Sequence, residues 1–292
     1  MCPDWCRKRA LFFVRYMMER PANHNKPATV RGRSFLSSKG CLGFISVALA
    51  LAVWYLFARF GGQPAFIMPS PGQVGLRFLQ SLGDGTLFRH ALITMTEITI
   101  GLAIGMTTAV FIGYLLAKSL TFERLLSPYI VASQAVPIVA IAPLLVIWFG
   151  PGISSKILIC ALIVFFPILV NTIVGLRSVP EDLHDLMRSL QASRWQTIKY
   201  LEFPAALPVL LGGLRIGAAL AVIGAVVGEF AGADRGLGFL INLARGQYDT
   251  ALVFVAVFSL IILALIMYGI VIWLESRWIS WQQRPDNSRT TH

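Results

Sequence analysis

Six stretches of the chain, roughly residues 41–60, 91–117, 127–149, 157–176, 208–231 and 250–274, run on with almost no charge. An α-helix needs about 20 apolar residues to cross about 30 Å of hydrocarbon at about 1.5 Å per residue. The backbone finds no water in that layer, so each run must satisfy its own polar groups as a helix. The expected fold class is therefore all-α and integral to a membrane, a polytopic bundle of about six transmembrane helices. Composition agrees: 13% of the 292 residues are charged, against about 25% in an average soluble domain.

The charges orient the bundle. Arg7, Lys8, Arg9, Arg15, Arg20, Lys26, Arg31, Arg33, Lys39, Lys118, Arg124, Arg177, Arg188, Arg194, Lys199, Arg277, Arg284 and Arg289 fall on one side of the six runs. Only Arg59, Arg77, Arg89, Lys156, Arg235 and Arg245 fall on the other. By the positive-inside rule both termini face the cytoplasm. The net charge of +11 is not the footprint of a nucleic-acid binder, whose basic residues would share a folded face with aromatics.

Residues 1–40 read as a basic, disordered cytoplasmic tail, in which "ALFFVRYMME" is an amphipathic segment only on a second reading, and residues 276–292 as a cytoplasmic C-terminal tail. No small-residue cleavage site precedes a leader-like run. Cys2, Cys6, Cys41 and Cys160 are not spaced for zinc or a disulfide framework. A G-x-x-x-x-G-K-[ST] phosphate loop is missing, so any ATP used must be bound by another chain. The segment after the first run, rich in Gly and Pro, leaves room for a short external helix over about 73–81, and "GLGFLINLA" at 236–244 is too short to span.

Two places break the apolar pattern. Pro137 and Pro143 lie inside the third run; each removes a backbone donor and forces a kink or break whose freed carbonyls need protein or water. The other place is "EDLHDLMRSLQASRWQTIKYLEFPAALP", residues 181–208. Pro180 suits a first helical position, with Glu181 and Asp182 favourable in the first turn. Leu183, Leu186, Met187 and Leu190 form one apolar stripe. Ser193 and Gln196 have the spacing of a capping box that starts a second helix, carrying Trp195 and Ile198 and expected to end near Pro204. The mixed charges of Glu181, Asp182, Asp185 and Glu202 against Arg188, Arg194 and Lys199 fit a protein partner better than a lipid surface.

"DLMRSLQASRWQTIKYLEFPAALP" resembles the cytoplasmic coupling loop of permease subunits of binding-protein-dependent ABC importers, roughly E-A-A-x-x-x-G-A-S with a terminal L-P. Aligned on Ala192 and Ser193, the family Glu falls on Asp185, its alanines on Leu186 and Met187, and its Gly on Gln191; Leu207 and Pro208 match the ending. "MPSPGQV", "VPIVAIAPLLVIWFGPGISSK", "GLRIGAALAVIGAVVGEF" and "GADRGLGFLI" resemble the nitrate/sulfonate/taurine-type branch, over about residues 65–275. The resemblance implies a type I importer permease fold over residues 41–275 with a coupling loop at 181–208, in a bacterial plasma (inner) membrane. It implies a cytoplasmic ABC ATPase dimer holding ATP and Mg, an external solute-binding protein and a second permease copy, with alternating access as the mechanism. No cofactor belongs to this chain. The solutes of the branch include nitrate, sulfonates, taurine, thiamine-pyrimidine precursors and riboflavin. A Gly at the turn supplies left-handed backbone, so Gln191 either accepts strain of about 1 kcal/mol or sits in a differently built turn.

The ATPase-coupling candidates are thus Asp185, Leu186, Met187, Gln191, Ala192, Ser193, Trp195 and Pro208. Pathway or gate candidates are Gln134, Pro137, Pro143, Arg215 and Glu229, because polar or helix-breaking residues within spans are costly. For Arg215 the alternative is snorkelling or an ion pair in the bundle; for Glu229, an ion pair with Arg235; for Gln134, satisfaction of a freed carbonyl. An ion-gradient-driven secondary transporter is the rival, and it calls for inverted repeats and midplane charge; only Glu97 is a deep carboxylate. A membrane-embedded enzyme would need clustered nucleophilic or metal-binding groups, and the chain shows none.

Overall fold

The computed structural model describes residues 39–62, 64 and 66–278. The expected N-terminal tail, with its possible amphipathic segment, and nearly all of the C-terminal tail lie outside them. Every regular element among the described residues is helical: α1 (Lys39–Phe60), α2 (Pro71–Gly83), α3 (Thr86–Lys118), α4 (Leu120–Ala135), α5 (Ile138–Phe149), α6 (Ile153–Arg177), α7 (Glu181–Ser189), α8 (Arg194–Thr197), α9 (Phe203–Gly232), α10 (Leu237–Gly246) and α11 (Thr250–Trp278), with a π-helical turn, Ile198–Glu202, joining α8 to α9. The chain divides at Ala50–Leu51 into a first unit, whose described part is the start of α1, and a second unit holding everything else.

All six apolar runs are helical, but not alike. Among the described residues four helices are long and apolar enough to span a membrane: α3, α6, the continuous stretch Arg194–Gly232, and α11. The third run is instead a broken pair, α4 and α5, bent by 92°. The break falls at Pro137, which sits at the N-cap of α5 and cannot donate to the preceding turn. Pro143, by contrast, lies inside an unbroken α5. Six spans are reached only by counting α4–α5 as one and adding α1.

α6 is the centre of the second unit, gripped on both sides by glycines. Gly101, Gly105 and Gly113 of α3 lie against Cys160, Ala161 and Thr172, while Gly213, Gly217, Gly224 and Gly228 of α9 lie against Asn171, Ile168, Cys160 and Lys156. A Cβ at Gly105 would come 2.7 Å from the Ala161 carbonyl oxygen, so these backbones touch only because the side chains are absent. Ile98, Ile159, Val164 and Ile168 fill the same seam and are essentially inaccessible. The outer faces carry exposed Phe111, Ile147, Trp148, Leu265 and Trp273, as lipid-facing helices should. Trp54 stacks on Phe254 with ring centroids 5.3 Å apart.

The short helix expected over 73–81 is α2. It begins earlier because Ser70 and Gln73 form a reciprocal capping box ahead of Pro71. Arg77 ties it to the start of α11 through Asp249, at 2.8 Å.

Candidate functional site

The segment 181–208 forms one end of the bundle. Pro180 is the N-cap of α7 rather than its first helical residue. α7 then closes in a turn whose Gln191 N–H donates to the Arg188 carbonyl at 2.9 Å and whose Ala192 N–H reaches back to Met187 at 3.0 Å. That paired pattern is a Schellman closure, which requires a left-handed residue. Gln191 supplies it, at φ +50°, where the family pattern has glycine. The turn is therefore built the ordinary way, and Gln191 carries the strain.

Ser193 opens α8 as the sequence spacing implied: its Oγ accepts from the Gln196 N–H at 3.3 Å, and its own N–H donates to Gln196 Oε1 at 2.7 Å. The second helix does not end at Pro204. It widens into the π turn, where the Phe203 N–H bonds to the Ile198 carbonyl, and continues through Pro204 and Pro208 as α9. The wider turn admits the proline ring that an α-helical interior would reject. Helix α8 and the span α9 are thus one rod.

Leu183, Leu186 and Leu190 leave an apolar stripe facing outward, and Trp195 stands 72% exposed beside it. Asp185 is exposed and paired with Arg188 at 3.0 Å; Met187 and Ala192 are half-buried behind the stripe. Beneath it, the buried Glu202 accepts from Lys118 at the end of α3 and faces His184 of α7 at 3.9 Å. Arg177 pairs with Glu123, and Arg215 with Glu275, at the same end. Arg215 is therefore a bundle ion pair, with its guanidinium 5.9 Å from the Tyr268 ring centre. A cavity of about 640 Å³ between loop and spans is lined by Tyr114, Lys118, His184, Arg188, Arg194 and Glu202, among others.

At the bend between α4 and α5, Ser133, Gln134, Val136, Ile138, Ile163, Phe166, Pro167, Val170 and Asn171 line a second cavity of about 400 Å³. Gln134 is thus at the cavity and Pro137 at its hinge, whereas Pro143 is exposed and outside the lining. Asn171 was not foreseen. Its amide donates to the Pro167 carbonyl at 2.7 Å, and its side chain fills the space left by Gly213.

The opposite end of the bundle holds a buried polar knot. Glu229 is 1% exposed and does not pair with Arg235, whose nearest carboxylate is Asp234 at 3.4 Å. Instead it caps α10. Glu229 Oε2 accepts from the Gly238 N–H, while Thr94 Oγ1 donates to Glu229 Oε1 at 2.6 Å and accepts from the Leu237 N–H at 2.8 Å. His90 Nδ1 accepts from the Gly236 N–H at 2.9 Å. Glu97, 1% exposed, lies beside Glu229 with Oε2 unpartnered, and it shares a cavity of about 280 Å³ with Lys156, Asp234 and Arg235. No sequence spacing links these residues, because Thr94 and Glu229 are 135 positions apart. Among the described residues no group of three or more His, Cys, Asp or Glu is arranged to hold a metal.

With this geometry the chain matches, over residues 101–280, the family described as "Binding-protein-dependent transport system inner membrane component". The riboflavin transport system permease protein RibX of Chloroflexus aurantiacus is 45% identical over 238 residues, covering 82% of this chain and 89% of that one. The formylaminopyrimidine transport permease protein ThiX of Halalkalibacterium halodurans is 36% identical, covering 86% and 99%. The taurine transport system permease protein TauC of Escherichia coli is 34% identical, covering 77% and 85%. Among solved structures, an inward-facing form of the MetNI methionine ABC transporter shares the fold, with a TM-score of 0.59 and 18% identity over 66% of this chain and 96% of that one.

Proposed function

The chain belongs to the binding-protein-dependent transport system inner membrane components and is the multi-pass permease subunit of an ABC importer; from that premise we propose that α7 and α8 are the handle by which a cytoplasmic ATPase dimer drives alternating access. The family implies an ATPase partner and a solute-binding protein. The finer reading places the loop, both termini and the ATPase in the cytoplasm, α2 and α10 outside, and two copies of this chain side by side in a bacterial inner membrane. ATP and Mg belong to the ATPase. The chain itself carries out no catalysis.

The observation that carries this reading is mechanical. An exposed apolar stripe with Trp195 at its edge is what a groove on a protein partner would bury. Behind it α8 runs without a break through the π turn into α9, and Glu202 fastens the same base to α3 through Lys118. Inverting a population from 1:99 to 99:1 takes about 5.5 kcal/mol of differential interaction, and a rod joined to two spans transmits such work where a loose loop would not. Leu186, Met187, Ala192 and Trp195 are assigned to docking, Asp185 to orienting the handle through its charge, Gln191 and Ser193 to the turn, and Pro208 to the entry into α9.

Relatives named for riboflavin, formylaminopyrimidine and taurine support a small organic solute, with the α4–α5 bend as its pathway, Gln134 on the wall and Pro137 as hinge. Glu229 holds the outer mouth by fixing α10. The test is reconstitution with the ATPase and binding protein. Asp185→Arg and Ala192→Arg should insert normally yet lose ATPase association and ATP-driven uptake; normal uptake in both would remove the docking role.

A further inference from the structure

The cavity at the α4–α5 bend has a chemistry of its own. Its nine lining residues include no Lys, Arg, His, Asp or Glu. Its polar groups are Ser133, whose hydroxyl proton is spent on the Ile130 carbonyl at 2.7 Å and which therefore offers an acceptor, the carboxamide of Gln134, and the Asn171 carboxamide. Asn171 commits one N–H to Pro167 and keeps an oxygen and a second N–H. The Phe166 ring, Pro167, Ile163, Val136 and Val170 supply flat or apolar walls.

The backbone adds donors and acceptors without adding net charge. The bend brings the carbonyl end of α4 against the amide end of α5, so the partial charges at the two helix ends oppose each other. At the junction the Ser133 carbonyl accepts from the Val136 N–H at 3.3 Å and the Ala140 N–H donates to the Pro137 carbonyl at 2.9 Å, which leaves the Ile138 and Val139 amides at the start of α5 without a partner within their helix. Elsewhere the chain does place cations at cavities: Lys118, Arg188 and Arg194 at the loop end, Lys156 and Arg235 at the α10 end. Arg215, two residues past Gly213, is matched by Glu275 on α11. An anion moved into the bend would leave water with no counter-charge, a cost of several kcal/mol.

We infer that this cavity is a solute site for an uncharged, planar, nitrogen-bearing ring whose amide-like edge pairs with Asn171 and Gln134 while its face lies on Phe166, and that it rejects sulfonates and other anions. The inference rests on the proposed pathway and deepens it. About 400 Å³ lies within the usual range for sites that bury a small organic molecule.

The test uses the intact permease–ATPase complex without binding protein, so that only the membrane site is read. Calorimetric titration with riboflavin and with formylaminopyrimidine should give saturable binding of at least one, undisturbed by millimolar ethanesulfonate. Asn171→Leu and Gln134→Leu should each weaken it about tenfold, the equivalent of about 1.4 kcal/mol, with the complex still eluting assembled. Gln134 sits at an exposed helix end, so its variant does not put the fold at risk. Binding of neither ring, displacement by ethanesulfonate, or unchanged affinity in both variants overturns the inference. Failure of the chain to assemble with an ATPase at all would instead strike the transport reading.

Discussion

Gln191→Gly should stabilise the handle, and the amount follows from one dihedral angle. Gln191 sits at φ +50°, where a Cβ costs about 1–2 kcal/mol. Glycine removes that cost but gives the unfolded loop more freedom, which takes back about 0.5–1 kcal/mol. The net gain is about 0.5–1 kcal/mol, confined to the closure between α7 and α8. The amides that report it are those of Gln191 and Ala192, whose bonds to Arg188 and Met187 close the turn. Hydrogen exchange on the reconstituted protein should show protection factors there raised about two- to fivefold, because local opening is what exchange reads. Gln191→Ala keeps the Cβ and should gain nothing. If alanine protects as well as glycine, or if neither changes exchange, the strain argument is refuted.

Glu229→Ala strips the cap from α10 and leaves the Gly238 N–H buried without an acceptor, a loss of about 1–3 kcal/mol, while the Thr94 hydroxyl turns to the His90 carbonyl, 3.2 Å away; lower thermal stability with exchange rising at Leu237–Gly246 is the expected result, and no change at α10 would count against the cap. Gly238→Ala should act alike, since its Cβ would stand 2.7 Å from Glu229 Oε2. Glu202→Gln removes the pair with Lys118, which is itself 46% exposed, so solvent screening holds the loss to about 1 kcal/mol; exchange in α7 should quicken and ATP-driven uptake fall. At the α2–α3 corner, hydrogen bonds from Thr86 hold the Asp84 carboxylate below its usual pKa. Its support for that corner is therefore full above the ordinary aspartate value and lost as pH falls through the depressed one, a dependence that Asp84→Asn should abolish.

The spans, the short helices α2 and α10 and the Ser193 cap were legible in the sequence because each is written locally, in an apolar run, a proline or a four-residue spacing. The break at Pro137 was legible as a break somewhere in the run. No local pattern separates it from the unbroken passage through Pro143. The passage of α8 through Pro204 was misread for a similar reason: a π turn absorbs a proline that an α-helix rejects, and Ile198–Glu202 carries no signature of one. Among the candidate residues, the turn at Gln191 and the cap at Ser193 were readable from order alone. The partnership of Glu229 with Thr94, the counter-charge of Arg215 at Glu275 and the place of Asn171 at the bend join residues far apart in the chain. Only the packing of α3, α6 and α9 brings them together.

The central claim is that the outward stripe of α7 and α8 is where the ATPase holds this chain. Leu186→Glu and Trp195→Ala, purified from their native membrane beside the unaltered chain and weighed intact, test it most directly. The account predicts ATPase bound in equal number to permease copies for the unaltered chain, and its loss from both variants while the permease pair stays together. ATPase retained at full stoichiometry on both variants would contradict it.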